Sequence, residues 1–225
     1  MKTLIKSGRI VTATDDFMGD ILIENEKIIA IGKSPLWGLG AVDKTIDATG
    51  KLVFPGAIDP HVHLEMPFMG TFSSDTYETG TRAALHGGTT TVIDFILQKQ
   101  GNSLYSAFEE WSNRARGNAV GDYSFHMAVT DFNEKTKAEI APLIEKEGIS
   151  SFKMFMAYRG ALMIDDRQMN GLMQEVRRVG GMVTAHATNG DMIDYLIAKH
   201  RKEGDRKSTR LNSSHLARSR MPSSA

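Results

Sequence analysis

From Leu52 onward the sequence repeats one phrase five times: a short apolar run, a loop, then 10 to 15 residues of helical period. The runs are LVFPGAID, TTTVIDFI, YSFHMAVT, SFKMFMAY and GMVTAHA, and the helices are predicted over 75–86, 103–116, 134–147, 166–179 and 191–201. Strands alternating with helices build a parallel sheet with helices packed outside it, either doubly wound or closed into a barrel. A (β/α)8 (TIM) barrel takes about 250 residues. Pro55 to Asp205 supplies 151, about five eighths of one, whereas a five-stranded doubly wound domain fits that length. The residues at the strand ends therefore decide, and they favour a partial barrel of five βα units.

The segment ahead of it, residues 1–53, reads as short strands with turns: TLIKSGRIVT, then DILIENEKIIAIG around a turn at Glu24 to Lys27, then DATGKLVFPG. We read it as part of a small β-sandwich domain, and residues 54–205 as the barrel units. The last 20 residues, 206–225, hold six Ser and five Lys or Arg with no acid, a composition break that reads as a basic, Ser-rich, non-native appendage. Lys plus Arg and Asp plus Glu are both 27, so the charge balance points to neither nucleic acid nor an anionic membrane. No apolar run reaches the roughly 18 residues of a membrane span. Lys2, Lys6 and Arg9 interrupt any signal-peptide core, so a cytoplasmic location is expected. With no cysteine, any metal must be held by His, carboxylate or something less common.

The first βα strand ends Asp59-Pro60-His61-Val62-His63. Side chains alternate along an extended segment, so His61 and His63 project to one side and Val62 to the other. Two imidazoles then converge as zinc requires. Pro60, which lacks a ladder N–H, marks the mouth of the sheet. Two exposed loop histidines are the plain alternative. In the fourth strand, Lys153 interrupts an apolar run; desolvation lowers the pKa of a buried amine, and a neutral amine can add carbon dioxide to give an anionic, metal-bridging carbamate. A lysine snorkelling to solvent is the alternative there. The fifth strand ends in His186. Ligands of parallel α/β folds gather at the C-terminal strand ends, so three strands deliver His61, His63, Lys153 and His186 to one face. His86, His126, His200 and His215 lack that placing and receive no chemical role.

The segments PGAIDPHVHLEMPF, DTYETGTRAALHGGTTTVIDF, SFKMFMAY and TAHATNGD together resemble the D-hydantoinase and dihydropyrimidinase group of cyclic amidohydrolases, over Met1 to about Asp205. The resemblance implies a (β/α)8 barrel with a β-sandwich built from both chain ends. It also implies two Zn2+ or similar divalent ions, with His61 and His63 on the more buried one and His186 on the second. Lys153, as N6-carboxylysine, would bridge them. Tyr158 would be the catalytic tyrosine that binds the substrate carbonyl and its oxyanion. Met66, Phe68 and Phe155 would form the apolar lid over the ring substituent, and Asp59 would orient a histidine from behind. The implied reaction opens a dihydropyrimidine or 5-substituted hydantoin to an N-carbamoyl amino acid, in a cytoplasmic homo-oligomer, a tetramer in full-length form, whose partner is its small-molecule cyclic amide.

The family pattern also needs a histidine after the sixth strand and an aspartate after the eighth, which this sequence does not contain. The expectation is therefore a truncated amidohydrolase, inactive by itself. Two rival readings stay open. One is an allantoinase- or dihydroorotase-like amidohydrolase, whose carboxylate-bearing substrates would call for arginine where the apolar lid stands. The other is a non-enzymatic, dihydropyrimidinase-like scaffold, which would not need the four ligands that are present.

Overall fold

The computed structural model describes residues 1–36, 38, 40–68 and 70–205; the 206–225 tail and the side chain of Phe68 lie outside the described residues. The chain divides into two units, Met1–Ala57 and the residues from Ile58 on.

In the first unit, β1 (Lys2–Val11), β2 (Asp16–Glu24) and β3 (Lys27–Lys33) form an antiparallel meander. Asn25 makes the β2–β3 turn at φ 57°, a left-handed conformation that Asn tolerates better than most residues. Two short strands, β4 (Lys44–Asp47) and β5 (Leu52–Val53), run parallel to β1, so the sheet is mixed. Buried Asp20 ties it together by accepting from the N–H groups of Ser7 (2.7 Å) and Leu36 (3.0 Å).

The second unit opens with all but the first residue of β6 (Ala57–Val62) and a small hairpin, β7 (Pro67–Phe68) and β8 (Thr71–Phe72). It continues α1 (Tyr77–His86), β9 (Thr89–Leu97), α2 (Leu104–Ala115), β10 (Asp122–Ala128), α3 (Glu134–Glu147), β11 (Ser151–Phe155), α4 (Asp166–Arg178), β12 (Met182–His186) and α5 (Gly190–Lys202). Each observed helix agrees with its expected span to within two residues. The first residues often differ because a polar cap stands ahead of each helix. Thr76, Ser103, Asn133, Asp165 and Asn189 each accept a main-chain N–H of the first turn.

Strand order settles the architecture that length left open. The five strands lie in the sequence β6-β9-β10-β11-β12, with β9 to β12 mutually parallel and no reversal of direction. A doubly wound sheet reverses its strand order at a switch point; a barrel winds one way around. This unit is a curled half-barrel. Alternate residues point out to the helices: Val62, Phe125, Met127, Phe152, Met154 and Val183 join Trp111, Leu143 and Leu172 in one core. Their neighbours Phe95, Ala128, Lys153, Phe155 and His186 point the other way. No helix among the described residues is long and apolar enough to cross a membrane.

Gly148 ends α3 at φ 71°, and its N–H reaches the Leu143 carbonyl. A side chain there would press Cβ on the following carbonyl at a cost of about 1–2 kcal/mol. Gly148→Ala should lower the melting midpoint by roughly 2–4 °C per kcal/mol lost. Differential scanning calorimetry reads this directly.

Candidate metal centre

The inner face of the half-barrel opens into a cavity of about 460 Å³. It is lined by His61, His63, Lys153, His186 and Tyr158 together with Met66 and Phe155, all singled out from sequence, and also by Thr71, Phe72, Ser73, Phe95, Leu97, Ala128 and Leu162. Asp59 does not line it. Its carboxylate accepts the His61 main-chain N–H at 3.0 Å, so it acts on that histidine through the backbone.

Each ligand candidate is placed by its strand. His61 and His63 stand two apart at the end of β6, with Val62 turned into the core, and their rings meet edge-on with centroids 5.1 Å apart. Phe95 of β9 lies against both, at 4.6 and 5.2 Å, and forms the floor between them. Lys153 comes from the middle of β11 and is only 9% exposed. Its ammonium lies 5.3 Å from the Phe95 ring and 5.6 Å from Phe155, and it makes no ion pair or hydrogen bond among the described residues. His186 closes β12; one ring nitrogen sits 3.0 Å from the Thr188 hydroxyl, and the other is left for a further partner. Tyr158 packs against His186 at 5.3 Å and Phe155 at 6.2 Å. Its own main chain is left-handed, φ 66°, and its carbonyl accepts N–H groups from Ala161, Leu162 and Met163. These three bonds hold the main chain of the tyrosine in place.

The electrostatics favour neutral donors. Burial pushes His61, His63 and His186 below the ordinary imidazole range, and the nearby Lys153 charge adds to this. Burial alone lowers Lys153. Neutral imidazole and neutral amine are the forms that bind metals and carbon dioxide. Among the described residues, no three His, Cys, Asp or Glu side chains form a cluster able to hold a metal unaided. The donor set is thus three imidazoles around an amine with no carboxylate opposite it. A divalent cation held here would need the amine converted to an anionic form.

The lowered imidazoles have a consequence for stability. An unfolded chain protonates these groups near pH 6.5, above the folded values, so their contribution is fully present above 6.5 and is lost as pH falls through and below it. Asp94 works in the opposite sense, because burial raises its carboxyl to about 6 and its contribution fades as pH rises through that value. Comparing wild type with His63→Gln isolates the histidine. In metal-free protein, the loss of melting temperature between pH 7 and 6 should be smaller in the variant.

Of two polar residues near the site, His126 receives no chemical role from the sequence and Asp94 is not singled out by it. His126 on β10 is buried beside Phe95, between Pro60 and Ser151. Asp94 on β9 is buried on the helix side beneath Leu64. The signal that marked Lys153, a polar residue inside an apolar strand run, was present in both TTTVIDFI and YSFHMAVT.

A profile described as the amidohydrolase family matches residues 52–221. The chain is similar to the D-hydantoinase of Geobacillus stearothermophilus, 48% identical over 204 residues, covering 91% of this chain and 43% of that protein. It is similar also to the dihydropyrimidinase of Rattus norvegicus, 43% identical over 196 residues, covering 85% and 37%. Among solved structures, the dihydropyrimidinase from Brevibacillus agri superposes with a TM-score of 0.86 at 46% identity, covering 91% of this chain and 44% of that one. The L-hydantoinase from Arthrobacter aurescens superposes with a TM-score of 0.74 at 26% identity, covering 90% and 44%. The chain spans less than half the length of the curated relatives it matches.

Proposed function

Because this chain belongs to the amidohydrolase family, we propose that it carries half of the catalytic barrel of a cyclic amidohydrolase that opens dihydropyrimidine or hydantoin rings to N-carbamoyl amino acids. One observation carries this reading: the buried Lys153 amine, unpaired among the described residues, stands in a cavity with three imidazoles from the ends of two other strands, β6 and β12. The family is generally metal-dependent. His61, His63 and His186 would hold a pair of zinc or similar ions. Lys153 would join them after its neutral amine attacks carbon dioxide, forming the N–C bond and releasing a proton. When bound, such a pair supplies an activated water and polarises an amide carbonyl at neutral pH.

The chain's own residues do the rest. Tyr158 points its ring beside His186, where its hydroxyl can donate to a carbonyl oxygen as negative charge develops. Met66, Phe72, Leu97, Phe155 and Leu162 give the cavity an apolar wall that excludes water and suits an uncharged ring substituent. That wall favours a hydantoin or dihydropyrimidine over the carboxylate-bearing rings of dihydroorotase-like enzymes. Phe68, expected in the same wall, has its side chain outside the described residues. The whole protein is proposed to act in the cytoplasm as a homo-oligomer, its mass readable by light scattering.

The test uses the protein at the full length of its relatives, loaded with zinc and bicarbonate and assayed on dihydrouracil and hydantoin. Ring opening together with bound zinc is the expected result. Zinc without turnover would favour the scaffold reading, and neither zinc nor turnover would overturn the proposal.

A further inference from the structure

An i, i+2 histidine pair can share a metal site only if the main chain around it cannot rotate. The end of β6 is poorly placed to supply that rigidity. Pro60 has no N–H for the ladder, strand structure stops at Val62, and Glu65 turns the chain sharply at φ 49°. Two buried side chains grip the backbone on either side of the pair. From inside the half-barrel, His126 Nε2 lies 2.9 Å from the Pro60 carbonyl oxygen. A carbonyl only accepts, so Nε2 donates to it, and Nδ1 pairs with the Ser151 hydroxyl. From the helix side, Asp94 accepts the Leu64 N–H at 3.3 Å and its neighbour Phe95 N–H at 2.7 Å. Its second oxygen takes the buried Tyr77 hydroxyl of α1 at 2.5 Å. The next residue is held as well: Glu65 accepts from the Tyr77 N–H at 3.2 Å and from Arg114 at 2.8 Å. Neither His126 nor Asp94 lines the cavity.

We propose that His126 and Asp94 are positioning residues for the metal centre, fixing residues 60 and 64 from opposite faces of the sheet so that His61 and His63 point at one ion before it arrives. The inference rests on the metal-centre reading above. Groups that orient ligands in this way typically contribute about 10- to 100-fold in metal affinity. His126→Phe fills the same space without a donor; His126→Gln retains one for Pro60. Asp94→Leu removes the acceptor for Leu64; Asp94→Asn retains one.

The experiment titrates the 225-residue chain and the four variants with Co2+ in bicarbonate buffer. Affinity and the visible cobalt spectrum are read, and circular dichroism reports the folded fraction. The Phe and Leu variants should bind about 10- to 100-fold more weakly with an altered spectrum, and the Gln and Asn variants should stay within about fivefold of wild type. Lower melting temperatures with unchanged cobalt affinity and spectrum in the Phe and Leu variants would make both residues structural supports only and overturn the inference. If Phe or Leu prevents folding, the Gln and Asn variants decide: a loss beyond tenfold in either overturns it. Failure of the wild-type chain to bind cobalt overturns the metal-centre reading and this inference together, whereas equal binding by all five proteins overturns this inference alone.

Discussion

Replacing Lys153 by alanine should strip the protein of metal and of ring-opening activity together. The sign of this result is what makes it decisive. As an ammonium, Lys153 is a cation among three imidazoles, and its charge disfavours a second positive charge there. If it stayed protonated at work, removing it would relieve that repulsion and strengthen metal binding. If it serves as a carbamate, removing it takes away the one anion of the site, and metal content should drop to background. Lys153→Arg sharpens the comparison, because a guanidinium cannot be neutralised to add carbon dioxide; it should behave like alanine. Short carboxylates such as acetate or propionate should restore part of the metal and part of the turnover in the alanine variant, whose vacated space can admit them. Elemental analysis of purified protein measures the first effect and an assay on dihydrouracil the second. Wild-type zinc occupancy in Lys153→Ala would remove the bridging role.

In the full-length enzyme, Tyr158→Phe should lower kcat about 10²- to 10³-fold while leaving zinc content unchanged, the loss expected when one donor to a developing oxyanion is removed. The main-chain and ring contacts of the residue survive the substitution. Its left-handed backbone is held by three N–H groups on its carbonyl, and its ring rests on His186 and Phe155. Phenylalanine keeps those ring contacts. An unchanged kcat would make Tyr158 a packing residue, and a rise in KM alone would make it a ground-state binding group.

Much of this was legible in the one-dimensional pattern. The five βα units, their helix spans and the inward direction of His61 and His63 follow from periods of 3.6 and 2 residues, and Lys153 stands out as a charge in an apolar run. Asp94 offered the same contrast, yet alternation assigns it to the face opposite Phe95, where a charged group has no meaning until its partners are known. Those partners, the Tyr77 hydroxyl and the Leu64 N–H, lie 17 and 30 residues away. His126 likewise depends on Pro60, 66 residues earlier.

By itself, then, the sequence determined which residues form strands and helices and which side of each strand they face, because those choices depend on neighbours a few positions apart. Only the tertiary structure decided that the strands wind one way around, that four side chains share a single cavity, and that the histidine pair is gripped from both faces. These are matters of strand order and of hydrogen bonds between distant segments, and local periodicity carries no information about either.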